Sequence, residues 1–164
     1  MKHISGPNSK SSLSGVVLVD VQPNATDLRL ERLFRITSDL FEISDEGKQH
    51  RRTTAVKPDS DGWFYLEPGE YEVIMENTIK VADGEAGWVI TRSTLNRNGL
   101  FLTSGLYDSG YEGVMAGCLH VTCGPARIKK GTRIGQYLSF DAEALKVYNG
   151  SYGAKSEHDK KYNE

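Results

Sequence analysis

GLYDSGYEG, residues 105–113, is the stretch on which the reading of this chain turns. Asp108-Ser109-Gly110 has the chemistry of a tight reversal, since aspartate and serine side chains bond nearby backbone and glycine tolerates positive φ. On either side lie runs with strand chemistry, GLFLTSGLY (99–107) and GVMAGCLHV (113–121), so the stretch reads as the turn of a β-hairpin. A turn by itself needs neither Tyr107 nor Tyr111. An acid between two aromatics raises the question of chemistry at Asp108.

The pattern continues outward in both directions. Further strands are predicted over 15–21, 27–36, 62–68, 70–76, 87–91 and 133–140, punctuated by turns at Glu67-Pro68-Gly69 and Lys129-Lys130-Gly131. Long 3.6-residue periodicity is absent, and the one short helix expected is 92–98, stopped by Gly99. Many short strands between turn signals predict an all-β sandwich or barrel. The polar segment 41–61 reads as a long loop. Residues 1–14 and 148–164 carry few apolar groups, so both ends are read as flexible, leaving 15–147 as the domain.

A chain of 164 residues suits one domain with a real core. Its 20 basic and 22 acidic side chains leave a net charge of −2, which provides no field for a nucleic acid and requires any polyanionic ligand to be held by a few placed residues. No apolar run approaches the roughly 20 residues of a membrane span, and the N-terminus lacks the apolar core of a signal peptide, so a cytoplasmic protein is expected. Two cysteines, Cys118 and Cys123, are too few for a disulfide framework.

Four stretches invite chemistry. Cys118, His120 and Cys123 lie close together, with Cys118 and His120 on one strand face, but no second cluster completes a four-ligand zinc site. Arg92-Ser93-Thr94 with Arg97, at the start of the short helix, combines forked donors and hydroxyls suited to phosphate. GTRIGQ (131–136) supplies a second arginine and the amide of Gln136. YNGSYG (148–153) is a Gly-aromatic segment able to fold over a ligand. His50-Arg51-Arg52 is read as a solvated loop face.

Taken in order, these segments resemble the trimeric dUTPase and dCTP deaminase superfamily. QPNATDLRL (22–30), FYLEPGE (64–70), RSTL (92–95), GLYDSGYEG (105–113) and GTRIGQ (131–136) are similar to its motifs, and the likeness runs from about Gln22 to Gly153. The resemblance implies a distorted jelly-roll or β-barrel subunit, a homotrimer with three active sites at subunit contacts, and Mg²⁺. Carried onto this chain, it makes Asp108 the general base, Tyr111 the floor for the deoxyribose, and Asp27 a holder of hydrated Mg²⁺ whose main ligand is the triphosphate. Arg92, Ser93, Thr94 and Gln136 would contact the phosphates, Arg97 matches a deaminase arginine near the base, and Tyr152 would belong to a C-terminal lid. Gly113, Ala116 and Gly117 are small enough for strand backbone to approach the ring. Deaminases of the family carry a glutamate five residues after the glycine matched by Gly113, and here that place holds Cys118. A carboxylate can shuttle the protons of deamination, and a largely protonated thiol is a poor substitute. The expectation is a dUTP diphosphatase of phage or other divergent origin. A dCTP deaminase or a non-catalytic dUTP-binding regulator are the alternatives.

Overall fold

The computed structural model describes residues 2–4, 8–154 and 162. Its elements are β1 (Lys2–Ile4), β2 (Ser12–Leu13), β3 (Thr26–Ile36), β4 (Glu42–Ile43), β5 (Lys48–Gln49), β6 (Thr53–Val56), β7 (Trp63–Leu66), β8 (Gly69–Lys80), β9 (Glu85–Thr91), α1 (Ser93–Asn96), β10 (Leu100–Thr103), β11 (Glu112–Val121), β12 (Ala126–Lys129) and β13 (Arg133–Asp141). The chain is all-β with one short helix, as the spacing of turns and β-formers predicts.

Six strands form a barrel wall. Antiparallel ladders run β9-β13-β3-β8-β11-β10. The remaining seam, β10 against β9, is stitched by hydroxyls. Thr91 Oγ1 accepts from Leu102 N at 2.7 Å and donates to Leu102 O, and Val89 N donates to Ser104 Oγ at 3.0 Å. These bonds satisfy edge backbone groups that would otherwise be orphaned beside an apolar interior.

Strand alternation fills that interior: Tyr71, Val73 and Met75 of β8 meet Met115, Leu119 and Val121 of β11 and Leu28, Leu30 and Leu33 of β3. Between Leu30 and Leu33 the register slips by one residue, which keeps the leucine inside. Irregular backbone near the middle of β8 is served by the fully buried Asn77, which accepts from Arg29 N and donates to Ser14 O at 2.7 Å.

Gly87 shows how tight the wall is. A Cβ there would lie 2.4 Å from both Leu138 O and Tyr137 Oη. Gly87→Ala is therefore expected to destabilise by roughly 1–3 kcal/mol or more, because sheet backbone and a packed ring must both move. Thermal unfolding of the variant checks this, and an unchanged midpoint would refute it.

Several elements differ from the sequence-based expectation. GVVLVDV (15–21) is not a strand. Leu18–Asp20 is a 3₁₀ turn with Val17, Leu18, Val19 and Val21 exposed. The anchor is Asp20, fully buried, accepting from Val17 N and gripped by Arg29 at 2.5 and 3.2 Å. Burial alone would raise the Asp20 carboxyl, but the Arg29 and Val17 bonds hold it below its ordinary value. The run 99–107 forms a strand only over Leu100–Thr103, so β10 and β11 are joined by an eight-residue connection, 104–111, rather than a tight turn. The segment 41–61 is no plain loop: β4 and β5 pair as a small hairpin and β6 adds to β3. β12 pairs with β7 where no strand is predicted.

The N-terminal segment is docked where it is described. β2 pairs with β8, and Ser9 Oγ, Ser11 Oγ, Lys10 N and Ser11 N all donate to the buried Glu85 carboxylate. Burial pushes Glu85 up, and these bonds overcome it, so its folded pKa lies below the ordinary value. A depressed carboxyl contributes stability that is fully present above its unfolded pKa, about 4.3, and lost as pH falls through the folded value. Glu85→Gln is expected to lower stability near neutral pH by roughly 1–3 kcal/mol and to converge with the parent in acid, as unfolding at pH 7 and at acid pH would record.

Candidate functional site

Asp27 is the hub of the first cluster. It sits on β3 opposite Gln136 of β13, which in turn pairs with Ile90 of β9, two residues before Arg92. Its carboxylate is fully buried. Oδ1 accepts from Gln136 Nε2 at 3.1 Å and lies 3.4 Å from Arg92 Nε; Oδ2 accepts from Gln22 Nε2 at 3.2 Å and from Arg133 Nη1 at 3.3 Å. One buried anion thus collects two guanidiniums and two amides from three separate motifs. Such a charge is tolerable only because every oxygen is paired. Arg92 also donates to Arg133 O, and Arg133 to Val19 O, so both forks are aimed by backbone as well.

Arg92 precedes α1, and Ser93, Thr94 and Arg97 lie exposed on that helix and just after it. The geometry suits a polyanion at the mouth of the hub: partly exposed guanidiniums held by a carboxylate below, hydroxyls alongside. Ringed by donors, Asp27 has no free face for direct metal ligation. Among the described residues no cluster of three or more His, Cys, Asp and Glu exists that would build a metal site from protein alone. Sequence reading gives Asp27 a role at the metal; what surrounds it here is the arginines and amides.

Asp108 lies at the other end of β9. Tyr107 pairs with Gly87 through two backbone bonds, N to O at 2.7 and 3.0 Å, whereas Arg92 follows the strand's last residue. Five residues of extended strand separate the two by about 16 Å. Within one chain the proposed base and the proposed phosphate cluster are therefore not brought together.

Around Asp108 the connection is firmly built. Tyr111 N donates to Asp108 O at 3.0 Å, Gly110 has φ +83°, and the buried Ser109 hydroxyl donates to Glu85 O at 2.6 Å. Tyr107 and Tyr111 stand edge to face, 5.4 Å apart, and pin β11: Tyr111 Oη donates to Val114 O, and Tyr107 Oη bonds both Ala116 O and Ala116 N. The surplus aromatics of GLYDSGYEG thus shape the strand that follows them.

The C-terminal segment packs on this hairpin. Tyr148 N donates to Ser109 O, Ala154 N donates to Glu112 O, and the Tyr148 ring stands edge-on to Tyr111 at 5.3 Å. Tyr152 is exposed, with its N donating to Tyr148 Oη and Lys48 Nζ lying 4.7 Å from its ring. The part of the tail at 155–161 and 163–164 lies outside the described residues. Tyr111 lines a cleft of about 330 Å³ with Tyr107, Val114, Ala116, Gly117 and Glu72. Asp108 instead faces a groove of about 650 Å³ between the hairpin and 142–150. Leu106 and Tyr148 line both and stand between them.

Two of the small residues of β11 also meet close neighbours within the chain. A Cβ on Gly113 would meet Gly153 Cα at 2.8 Å, and one on Gly117 would meet Thr103 O at 2.4 Å. Gly113 makes room for the tail and Gly117 for β10. Cys118 is half-buried on β11 between Thr103 and Glu72. Burial first, then the Glu70 and Glu72 charges, push its thiol up, so it stays neutral. His120 Nε2 lies 3.2 Å from Thr103 Oγ1. Sequence reading missed Arg133 as a partner of Asp27, and it missed Glu72 and His50 at the cleft. Alternation in EYEVIME does mark Glu72 as turned away from the core, but not that its face meets 41–61.

Comparison with known proteins bears on this arrangement. A family profile described as dCTP deaminase-like matches residues 11–141. A protein of Methanococcoides burtonii named "Probable deoxyuridine 5'-triphosphate nucleotidohydrolase" is 29% identical over 137 residues, 80% of each chain. A "dCTP deaminase, dUMP-forming" of a Parafrankia species is 33% identical over 128 residues, 73% of this chain and 63% of that one. The solved 2'-deoxycytidine 5'-triphosphate deaminase of Agrobacterium tumefaciens superposes with a TM-score of 0.61 at 18% identity, covering 79% of this chain and 43% of that chain. That likeness establishes the fold.

Proposed function

The chain belongs to the dCTP deaminase-like family, and on that premise we propose that it is a dUTP diphosphatase, releasing dUMP and pyrophosphate, that works as a homotrimer. The observation that carries the choice is Cys118: a neutral, half-buried thiol occupies the strand position where the deaminase resemblance calls for a proton-shuttling carboxylate. The groups needed for hydrolysis are all present, though in two halves.

In this reading the deoxyribose rests on Tyr111 and the base lies along β11. Asp108 takes the proton of a water that attacks the α-phosphorus in line; the bond to the bridging oxygen breaks and pyrophosphate departs. The substrate is the Mg²⁺ complex of the nucleotide, which brings its own charge neutralisation. Arg92 and Arg133 hold the phosphates, with Ser93, Thr94, Arg97 and Gln136 beside them. Asp27 is a positioning residue that aims the arginines. Because Asp108 lies about 16 Å along β9 from Arg92, the two halves of a working site come from neighbouring subunits. The segment 142–154 acts as a cover, and Tyr148 gives way for Asp108 and Tyr111 to share one ligand. The expected setting is the cytoplasm.

Incubation with dUTP and Mg²⁺ should yield pyrophosphate, and dCTP should yield no ammonia. Ammonia release would overturn the assignment in favour of a deaminase, and tight dUTP binding without turnover would favour a regulator.

A further inference from the structure

Asp108 has an exposed side chain, and its place is set by the residues on either side of it. Tyr107 exchanges two backbone hydrogen bonds with Gly87, near the start of β9. Two residues further, the same antiparallel pairing would set residue 109 against residue 85. There the link is made by a side chain: the buried Ser109 hydroxyl donates to Glu85 O at 2.6 Å. Asp108 is thus slung between two ties to the first residues of β9. Gly110 N, donating to Val81 O at 3.1 Å, holds the far side of the turn.

Glu85 is fixed in turn by the N-terminal segment. Its buried carboxylate accepts from Ser9 Oγ, Lys10 N and Ser11 Oγ, each at 2.6 Å, and from Ser11 N at 3.1 Å. Ser11 Oγ also accepts from Ala82 N at 2.9 Å, and β2 fastens the segment to β8. A buried carboxylate resists displacement, because moving it away from its donors would strand its charge. One residue therefore carries the N-terminal segment on its side chain and the Asp108 turn on its carbonyl.

We propose that Glu85 and Ser109 are positioning residues for the general base: residues 9–11 fix Glu85, Glu85 fixes Ser109, and Ser109 fixes where Asp108 presents its carboxylate. This rests on the diphosphatase reading with Asp108 as base. The Ser109 hydroxyl is spent on Glu85 O and the Glu85 carboxylate on residues 9–11, so both act through Asp108 rather than on the substrate. A base that meets phosphates held by a neighbouring subunit must project from a rigid support, since a misplacement of about 1 Å costs on the order of 10²-fold.

Ser109→Ala removes the tie without adding bulk. It is expected to lower kcat for dUTP at least about tenfold, with the Kd of the α,β-imido analogue of dUTP within a few-fold of the parent. In an Asp108→Asn chain the same substitution should change the residual single-turnover rate by less than about twofold, because no base is left to misplace. An equal factor in both backgrounds would show a general structural role and overturns the inference. Parental kcat in Ser109→Ala, with Asp108→Asn inactive, also overturns it and leaves the diphosphatase standing. Should Ser109→Ala fail to fold, Ser9→Ala with Ser11→Ala tests the chain of contacts from its other end. That pair removes two donors from Glu85 and is expected to lower kcat several-fold at unchanged Kd, and parental kcat there overturns the inference. Asp108→Asn retaining more than a tenth of parental activity, or no pyrophosphate from dUTP at all, overturns the reading of the base and this inference with it.

Discussion

Asp108→Asn should stop pyrophosphate release from dUTP while leaving the fold and nucleotide binding intact. A positioned general base contributes about 10²- to 10⁴-fold to a rate, and the amide cannot take a proton from water, so a loss of at least about 10²-fold in kcat is expected. The change is clean for a structural reason. What the turn uses of Asp108 is its backbone, whose carbonyl accepts from Tyr111 N at 3.0 Å, while its side chain is exposed. Asparagine is equally at home in such a turn. An unchanged thermal midpoint, together with a Kd for a non-hydrolysable dUTP analogue within a few-fold of the parent, would place the loss in the chemistry. Activity retained above a tenth of the parent would remove Asp108 from the mechanism.

The second large effect is a rescue. Asp108→Asn and Arg92→Ala chains should each be inactive alone, yet active when unfolded together and reassembled at equal amounts. If each site takes its base from one subunit and its phosphate cluster from a neighbour, random assembly of a cyclic oligomer gives about one site in four with both intact. Recovery of about a quarter of parental kcat per site is therefore expected, with KM restored. A site housed within one chain gives no recovery at any mixing ratio. The rescue depends on Arg92→Ala remaining folded, and the Asp27 hub bears on this. Removing one guanidinium from a fully buried carboxylate is costly, but Arg133, Gln136 and Gln22 remain on its oxygens. A lower midpoint with a retained cooperative transition is the accompanying expectation.

Much of this architecture is legible along the chain. Alternating β-formers between turn residues mark most of the wall strands, because a half-buried strand must alternate and a reversal needs Gly, Asp or Pro. Arg92-Ser93 and the hairpin with Asp108 and Tyr111 are local patterns whose chemistry depends on short-range spacing. GVVLVDV misleads for the converse reason: its apolar side chains point to solvent, and the segment is held by the buried bond between Asp20 and Arg29, nine residues apart. In 41–61 the strands are two to four residues long and polar, so no periodicity announces them. Burial at Glu85 likewise leaves no mark on the serines around it.

Composition and local spacing were thus enough to determine the all-β class, the hairpin and the residue types that bear the chemistry, since these depend on neighbours within a few bonds. Only the tertiary structure decided which of those residues meet. Register across β3, β13 and β9 gathers Asp27, Gln136 and Arg92, and the length of β9 keeps Asp108 away from them. The pairing of β8 with β11 sets Glu72, which lines the cleft, opposite Cys118. Those distances follow from how strands far apart in the chain align, and a one-residue slip would turn every one of these side chains to the other face.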